Sequence, residues 1–339
     1  MTIMMALRRR EARAWAARVL MAATLLASSV SAAQDAPAGL RINEIQFIGS
    51  HNSYKKAQPW FWATLLRWLA PETAAALAYE HEPLTAQLDR GLRVLELDAF
   101  YDPERGTFPV GHVQLIDMES HCSPLRTCLE QLRAWSDAHP RHLPLWIMFN
   151  AKDEPIPRLP DPVRFDGPAF EAFDAVLEDV LGDRMIRPET VLGRRWPSLE
   201  AARGKVLFLL DESGRKRALY DTGAARPMFM SLPETDPRAA ILVINDPLAE
   251  GERIRRLVAA GYMVRTRADA DTVEARQGAT ARREAALASG AQAVSTDYYR
   301  PAAAFGQDYV VRLPSVGRCN PVATTRVCQL TESGGRVGP

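Results

Sequence analysis

Short apolar runs alternate with amphipathic segments along most of this 339-residue chain, and this alternation constrains its fold most strongly. The runs are continuously apolar, which is typical of parallel strands buried on both faces. Eight strands are predicted, at 44–49, 92–98, 107–111, 143–150, 205–211, 240–245, 262–266 and 292–296. Amphipathic helices are predicted at 124–138, 168–181, 249–260 and 271–289. We therefore predict an α/β fold, a (β/α)8 barrel of the TIM type.

The composition is ordinary for a globular protein, with 47% hydrophobic and 24% charged residues. These values exclude a disordered chain, a collagen-like repeat and a multi-span membrane protein. No low-complexity linker divides residues 34–339, so we predict one barrel domain there, with a tail at its C-terminal end.

Residues 1–33 have the pattern of a secretory signal peptide. Five arginines precede an uncharged apolar run at 19–30, and small residues follow it. A membrane anchor is the alternative, but the run is short for a span of about 20 residues. Removing 1–33 takes away five Arg and one Glu and changes the formal net charge from +1 to −3. We expect a secreted or periplasmic protein that does not bind nucleic acid.

The four cysteines form two local pairs in the sequence, Cys122 with Cys128 and Cys319 with Cys328. In an oxidising compartment such pairs form disulfides. A zinc site is the alternative, but neither spacing is typical of zinc ligands. We predict two structural disulfides, the second of which clasps the C-terminal tail.

Polar side chains gather where the predicted strands end, and the carboxyl ends of parallel barrel strands meet at one mouth. Helix capping explains some of them. It does not explain His51 and His112, or Glu96 and Asp98, which face the same way within an apolar strand. The remaining histidines have no such neighbours in the sequence and are interpreted as structural: His81, His121, His139 and His142.

Asn52, Glu96 and Asp98 are hard oxygen ligands, typical of Ca²⁺ or Mg²⁺ rather than of zinc or copper. Two histidines beside such a cation fit an in-line displacement at phosphorus. One takes a proton from the attacking hydroxyl, and the other donates a proton to the leaving oxygen or stabilises the phosphoryl charge. Lys152 would neutralise a phosphate oxygen.

Three segments that carry these residues resemble the bacterial calcium-dependent phosphoinositide-specific phospholipase C family: FIGSHNSYK (47–55), LRVLELDAF (92–100) and VGH (110–112). Further segments extend the resemblance over nearly all of 34–339, at 117–140, 149–155, 264–271, 288–299 and 318–322. The resemblance implies a PLC-like phosphodiesterase barrel whose substrate is a phosphoinositide or related phosphodiester lipid. Such an enzyme releases diacylglycerol, and attack by the inositol 2-hydroxyl forms a cyclic phosphate first.

The resemblance also implies residue roles. His51 and His112 are the catalytic histidines, and the calcium ligands are Asn52, Glu96 and Asp98. A metal-ligating carboxylate is the alternative base, so the resemblance does not fix the proton-transfer role of each histidine. Asn150 stands where the related eukaryotic enzymes have a fourth, acidic ligand. The loss of one negative charge predicts weaker metal binding, unless Asp117, Asp153 or the substrate phosphate contributes.

Head-group contacts are predicted from position for Arg265, Arg267 and Tyr298. The alternative for the two arginines is a set of ion pairs with Asp269 and Asp297.

An aromatic-rich segment follows His51, and three of the six tryptophans outside 1–33 lie between residues 60 and 68. We predict that Trp60 and Trp62 make transient contact with a membrane surface. The remaining apolar side chains are predicted to form a core-facing side: Phe61, Leu65, Trp68 and Leu69.

Two other functions remain open. A glycerophosphodiester phosphodiesterase resembles this chain in its barrel, in Glu-x-Asp and in the second histidine, but that family has His-Arg-Gly where this chain has residues 51–53 as His-Asn-Ser. A non-catalytic barrel that binds lipid or sugar is the alternative from another class.

Overall fold

Eight parallel strands form the barrel in the computed structural model, which describes residues 39–332. They are β1 (Ile45–Ser50), β2 (Val94–Ala99), β3 (Leu145–Ala151), β4 (Val206–Leu210), β5 (Phe229–Met230), β6 (Ile241–Val243), β7 (Met263–Arg267) and β8 (Ala293–Thr296). The spatial order is β5-β4-β3-β2-β1-β8-β7-β6. Within the described residues β5 and β6 do not pair, so the barrel is nearly closed. The predicted (β/α)8 architecture is confirmed.

The strand predicted at 107–111 is wrong. Thr107 and Val110 make only isolated antiparallel bridges, to Asp102 and Ala99. This segment therefore folds back over the end of β2. It and the residues after it form a loop rather than a barrel strand. The fifth barrel strand is instead β5, which is only two residues long and lies in an apolar run of three residues, too short to predict a strand.

Helices separate most of the strands. Those of the described chain are α1 (Trp60–Leu69), α2 (Pro71–Ala76), α3 (Leu84–Asp89), α4 (Leu125–Ala138), α5 (Gly167–Leu181), α6 (Gly214–Tyr220), α7 (Pro247–Ala259), α8 (Val273–Gln277) and α9 (Ala281–Ala288). The helix predicted at 271–289 is two helices, because Gly278 takes a left-handed conformation with φ of 65° and ends α8. No helix within 39–332 is both long and apolar enough to cross a bilayer.

β1 and β2 approach each other closely. Gly49 pairs with Val94, and a Cβ atom built on Gly49 would lie 2.3 Å from the Val94 Cβ. Only glycine fits this position without moving a strand.

Two kinds of core surround the strands. Inside the barrel, apolar residues such as Phe47, Trp146 and Met263 fill the amino-terminal half. Outside it, Phe149 on β3 and Phe173 on α5 pack in the layer between strands and helices. This two-sided burial is what the continuously apolar runs predict.

The C-terminal segment is held against the start of β1. Two short strands follow the barrel, β9 (Gly317–Cys319) and β10 (Gln329–Leu330), and β9 pairs antiparallel with β1. Both predicted disulfides are present, Cys122–Cys128 and Cys319–Cys328. The predicted signal peptide at 1–33 lies outside the described residues and stays a prediction.

Candidate active site

The interior of the barrel changes from apolar to polar along the strands. On β2, Val94 belongs to the interior core, whereas Glu96 and Asp98 follow at alternate positions toward the carboxyl end. Asp98 is paired in register with Asn150 on β3. Because all eight barrel strands are parallel, these polar positions meet at one mouth.

His51, directly after β1, has its Nδ1 atom held by a carboxylate from another strand. His51 Nδ1 lies 3.0 Å from Asp297 Oδ1, and the side chain is 16% exposed. Burial and the charge of Arg267 lower the pKa of His51 well below its usual value. Arg267 Nη2 also donates to Asp297 Oδ2 at 3.3 Å. The ring is therefore neutral near pH 7, with Nδ1 donating to Asp297 and Nε2 free to accept a proton.

His112 lies in the loop that returns over β2 and has an equivalent partner. Its Nδ1 atom lies 3.2 Å from Asp117 Oδ2, and the buried Lys55 donates to Asp117 Oδ1 at 2.6 Å. Burial alone would raise the pKa of Asp117. The hydrogen bonds and charges of His112 and Lys55 outweigh burial and hold this pKa below its usual value. Asp117 is therefore ionised. Its two oxygens are bonded to His112 and Lys55, and it does not join Glu96 and Asp98 as a predicted metal ligand.

Three side chains contact the two carboxylates of β2, and one of the three contacts both. Arg265 Nη2 donates to Glu96 Oε2 at 2.6 Å, and Lys152 Nζ lies 3.3 Å from Asp98 Oδ2. The Asn150 amide donates to both carboxylates, at 3.0 and 3.2 Å. In this arrangement the Asn150 NH₂ group, and not its oxygen, faces Glu96 and Asp98.

The residues predicted as metal ligands fit calcium in their chemistry. Asn52 has a left-handed φ of 47°, and its Nδ2 atom donates to Tyr79 Oη at 2.8 Å. Because the NH₂ group is used in this way, Oδ1 is the atom that the Asn52 amide offers to a cation. Within 39–332, no three His, Cys, Asp or Glu residues are grouped to hold a metal ion. The predicted donors are two carboxylates, of Glu96 and Asp98, with an amide oxygen, and this chemistry suits a hard cation such as Ca²⁺.

The predicted arginines join the mouth, with one difference in partners. Arg267 pairs with Asp297, one of the predicted alternatives, and its Nε atom donates to the Asp269 carbonyl. Arg265 pairs with Glu96 instead of Asp269 or Asp297. Both guanidinium groups therefore pair with carboxylates at the mouth of the barrel.

Three other residues are predicted to make contacts: Tyr298, Trp60 and Trp62. Tyr298 packs against Phe305 and Tyr309 behind β8, and its hydroxyl has no hydrogen-bond partner. Trp60 lies on α1 and is 80% exposed, and Trp62 is half-buried. The head-group contact of Tyr298 and the membrane contact of Trp60 and Trp62 stay predictions.

The core-facing side predicted for α1 is wrong. No residue of α1 is buried, and Phe61, Trp68 and Leu69 are 54%, 82% and 61% exposed. The periodicity of the helix does not show whether its apolar side faces the barrel or the solvent.

His81 was interpreted as lacking a functional neighbour, but the structure places it beside His51. Its Nε2 atom donates to the His51 carbonyl at 2.7 Å, and burial lowers the pKa of His81 to about 4, so the ring stays neutral. Tyr79 Oη lies 3.4 Å from His51 Nδ1. Neither residue carries a motif, and only the folding of the loop after α2 brings them to this position.

A family model described as phosphoinositide phospholipase C, Ca²⁺-dependent, matches residues 40–111 and 107–321. Among solved structures, a calcium-dependent phosphoinositol-specific phospholipase C from a Gram-negative bacterium, Pseudomonas sp., is 17% identical, covering 79% of this chain and 95% of that one (TM-score 0.51). A Ca²⁺-dependent phosphatidylinositol-specific phospholipase C from Streptomyces antibioticus is 19% identical, covering 77% and 96% (TM-score 0.52). A phosphatidylinositol-specific phospholipase C from Listeria monocytogenes is 11% identical, covering 80% and 94% (TM-score 0.50). None of the curated protein sequences matches the chain.

The similarity to these solved structures shows a shared barrel fold, since the identities are low. The family model goes further, because it matches most of the chain. The matched residues include His51 and His112, the two histidines predicted to be catalytic. The chain belongs to the calcium-dependent phosphoinositide phospholipase C family and is a phosphodiesterase of the phospholipase C type.

Proposed function

We propose that this protein cleaves phosphatidylinositol-type lipids to diacylglycerol and a cyclic inositol phosphate, which water then opens. The observation that carries the proposal is the pair of imidazoles at the barrel mouth, each with Nδ1 held by a buried carboxylate. His51 has Asp297 and His112 has Asp117. In both rings this leaves Nε2 for proton transfer to or from the substrate.

His51 acts as the base. Its lowered pKa keeps it neutral near pH 7, and Asp297 fixes the tautomer that has a lone pair on Nε2. The inositol 2-hydroxyl gives its proton to this atom and attacks the phosphorus. Arg267, which also contacts Asp297, stabilises the negative charge that builds up on the phosphoryl oxygens.

His112 acts as the acid. Its Nε2–H donates to the diacylglycerol oxygen as the phosphorus–oxygen bond breaks, and Asp117 balances the charge of the ring before that transfer. In the second step the roles reverse: His112 takes a proton from water, and His51 returns one to the 2-hydroxyl oxygen.

Calcium is the proposed cation, held by Glu96, Asp98 and Asn52, and Mg²⁺ is the alternative with the same donor preference. When bound, it polarises a phosphoryl oxygen and lowers the pKa of the inositol hydroxyl. Arg265 and Lys152 now neutralise the two carboxylates, so they give up or share those partners when the metal and phosphate enter. A metal role for Asn150 requires its amide to turn over.

Export to the periplasm or the medium is the proposed location. The two disulfides of the structure support it, because such bonds persist in oxidising compartments. We also propose that α1 contacts the membrane surface, with Trp60 at its first turn.

The test is product analysis on phosphatidylinositol vesicles with calcium, magnesium or chelator. We expect calcium-dependent release of cyclic inositol phosphate by ³¹P NMR, and a decrease in kcat/KM of about 10²- to 10⁴-fold in His51→Ala. His139→Gln, a histidine at the end of α4, is the matched control. Calorimetry with Glu96→Gln is expected to show weaker calcium binding.

Other outcomes decide between the alternatives. Release of glycerol phosphate from deacylated lipids would establish a glycerophosphodiester phosphodiesterase. Lipid or inositol binding without turnover would establish a non-catalytic barrel. Equal activity of His51→Ala and the unaltered protein would remove the base from the proposed mechanism.

A further inference from the structure

Tyr79 lies between two residues of the candidate active site. Its Oη atom is 2.8 Å from Asn52 Nδ2 and 3.4 Å from His51 Nδ1. The Tyr79 side chain is buried. Its ring packs against His81, with 5.6 Å between the ring centroids, and Lys55 Nζ lies 5.1 Å from the centre of the ring. These contacts hold the Tyr79 hydroxyl at a fixed position beside the two site residues.

The backbone on both sides of Asn52 is held by hydrogen bonds to neighbouring strands. The His51 amide donates to the Thr296 carbonyl on β8 at 3.2 Å. The Ser53 amide donates to the Glu96 carbonyl on β2 at 2.9 Å. Asn52 itself is buried, and its φ of 47° is left-handed. The backbone therefore fixes where the Asn52 side chain begins, and the freedom that remains is which end of its amide faces the cation site.

The two ends of the Asn52 amide are not equivalent in a calcium site. The Oδ1 atom can bind a cation, whereas the NH₂ group offers only hydrogens. Asn150 shows what an amide does beside the carboxylates of β2, because its NH₂ group donates to Glu96 and Asp98, at 3.0 and 3.2 Å. An amide at this mouth therefore needs another acceptor for its NH₂ group if its oxygen is to face a cation.

Tyr79 Oη is that acceptor for Asn52. A hydroxyl can also donate, but the negative charge of Asp297 acts on this hydroxyl and attracts its hydrogen. The lone pairs of Oη are then available to the NH₂ group. His51 depends less on Tyr79, because Asp297 holds its Nδ1 atom at the shorter distance of 3.0 Å. The contact with Asn52 is therefore the more consequential of the two.

We propose that Tyr79 is a positioning residue, which orients the Asn52 amide so that Oδ1 faces the cation held by Glu96 and Asp98. Tyr79 acts on calcium binding through Asn52 and not by contact with the metal. This inference rests on the proposed function and adds to it a determinant of calcium affinity that has no sequence motif.

The test is calorimetric titration of calcium into the protein without substrate. Tyr79→Phe is expected to raise the Kd for calcium about 3- to 10-fold, the effect of one neutral hydrogen bond. Tyr299→Phe is the matched control and should leave this Kd unchanged. The Tyr299 ring also packs against His81, with centroids 5.4 Å apart, but its hydroxyl accepts from the Glu82 amide at 3.0 Å instead of from Asn52.

Asn52→Asp separates orientation of the amide from a general loosening of the loop. A carboxylate presents an oxygen whichever way it turns, so it needs no orienting partner. In Asn52→Asp protein, the additional Tyr79→Phe change should alter the calcium Kd by less than about 2-fold. In Tyr79→Phe alone, the calcium concentration for half-maximal cleavage of phosphatidylinositol should rise by the same factor as Kd, while the rate at saturating calcium persists.

An unchanged calcium Kd in Tyr79→Phe would overturn this inference and leave the proposed function intact. Equal weakening by Tyr79→Phe in Asn52→Asp protein would also overturn it, because the residue would then act on the loop as a whole. If the unaltered protein binds no calcium, the calcium site of the proposed function fails, and the role of Tyr79 fails with it.

Discussion

At the scale of single residues, each of the two imidazoles proposed as catalytic shares its carboxylate with a cation of the chain. Asp297 contacts His51 and Arg267, whereas Asp117 contacts His112 and Lys55. The carboxylates fix the ring orientation, and the cations oppose the rise in carboxyl pKa that burial causes. The protonation state of His51 therefore depends on Arg267, which pairs with Asp297 rather than with His51 itself.

Arg267→Met is expected to raise the pKa of His51, because a positive charge that disfavours the imidazolium is removed. A base works only when unprotonated, so the acidic limb of the pH profile of kcat/KM moves to higher pH. The profile is measured on a water-soluble inositol phosphodiester. Arg255→Met, an exposed arginine on α7, is the control. A limb that stays in place or moves to lower pH would contradict His51 as the base.

The sequence identified the residues of the site that carry motifs, but not their partners. His51, Asn52, Glu96 and Asp98 were predicted from their residue types at strand ends. His81 and Tyr79 were not, because a histidine and a tyrosine in a loop have no distinguishing pattern. Their place in the site depends on contact with His51, which lies about 30 positions earlier in the sequence.

At the scale of elements, α1 shows the difference between apolar pattern and burial. The helix has no buried residue, although most of its side chains are apolar. Ala63 and Arg67 of this helix line a cavity that is shared with the segment after β8. The consequence is an aromatic face toward solvent, which includes Trp60 and Trp68 at 80% and 82% exposure.

Trp60→Ala combined with Trp68→Ala is expected to lower activity on phosphatidylinositol vesicles by more than about 10-fold, because two large apolar side chains no longer enter the interface. Activity on a short-chain phosphatidylinositol that is monomeric in water should change much less. The ratio of the two rates is the measurement, with Thr64→Ala, exposed on the same helix, as control. Equal losses on both substrates would contradict the membrane contact.

At the scale of the whole molecule, the C-terminal segment fastens the amino-terminal end of the barrel. β9 pairs with β1, Cys319 bonds Cys328, and Glu332 pairs with the buried Arg93 at the start of β2, with Nε and Oε1 3.1 Å apart. The Leu143 amide before β3 also donates to Glu332. Strands from distant parts of the chain are therefore joined on the side opposite the mouth.

Cys319→Ser combined with Cys328→Ser is expected to lower the free energy of unfolding by about 2–3 kcal/mol, since the disulfide closes a short loop in the unfolded chain. Catalysis at the mouth should persist below the unfolding temperature. Denaturant unfolding with and without reductant measures the change, and Thr325→Ala, exposed in the same loop, is the control. A loss of activity without a loss of stability would assign the tail a role at the mouth instead.

The sequence by itself determined the barrel, the two disulfides and the residue types of the reacting centre. Apolar runs report burial on both faces, and local cysteine pairs need no knowledge of distant contacts. Only the tertiary structure decided that 107–111 leaves the barrel, that α1 is exposed, and that Arg265 pairs with Glu96. Each of these depends on which distant segments meet, because the same local pattern of residues is compatible with a buried or an exposed position.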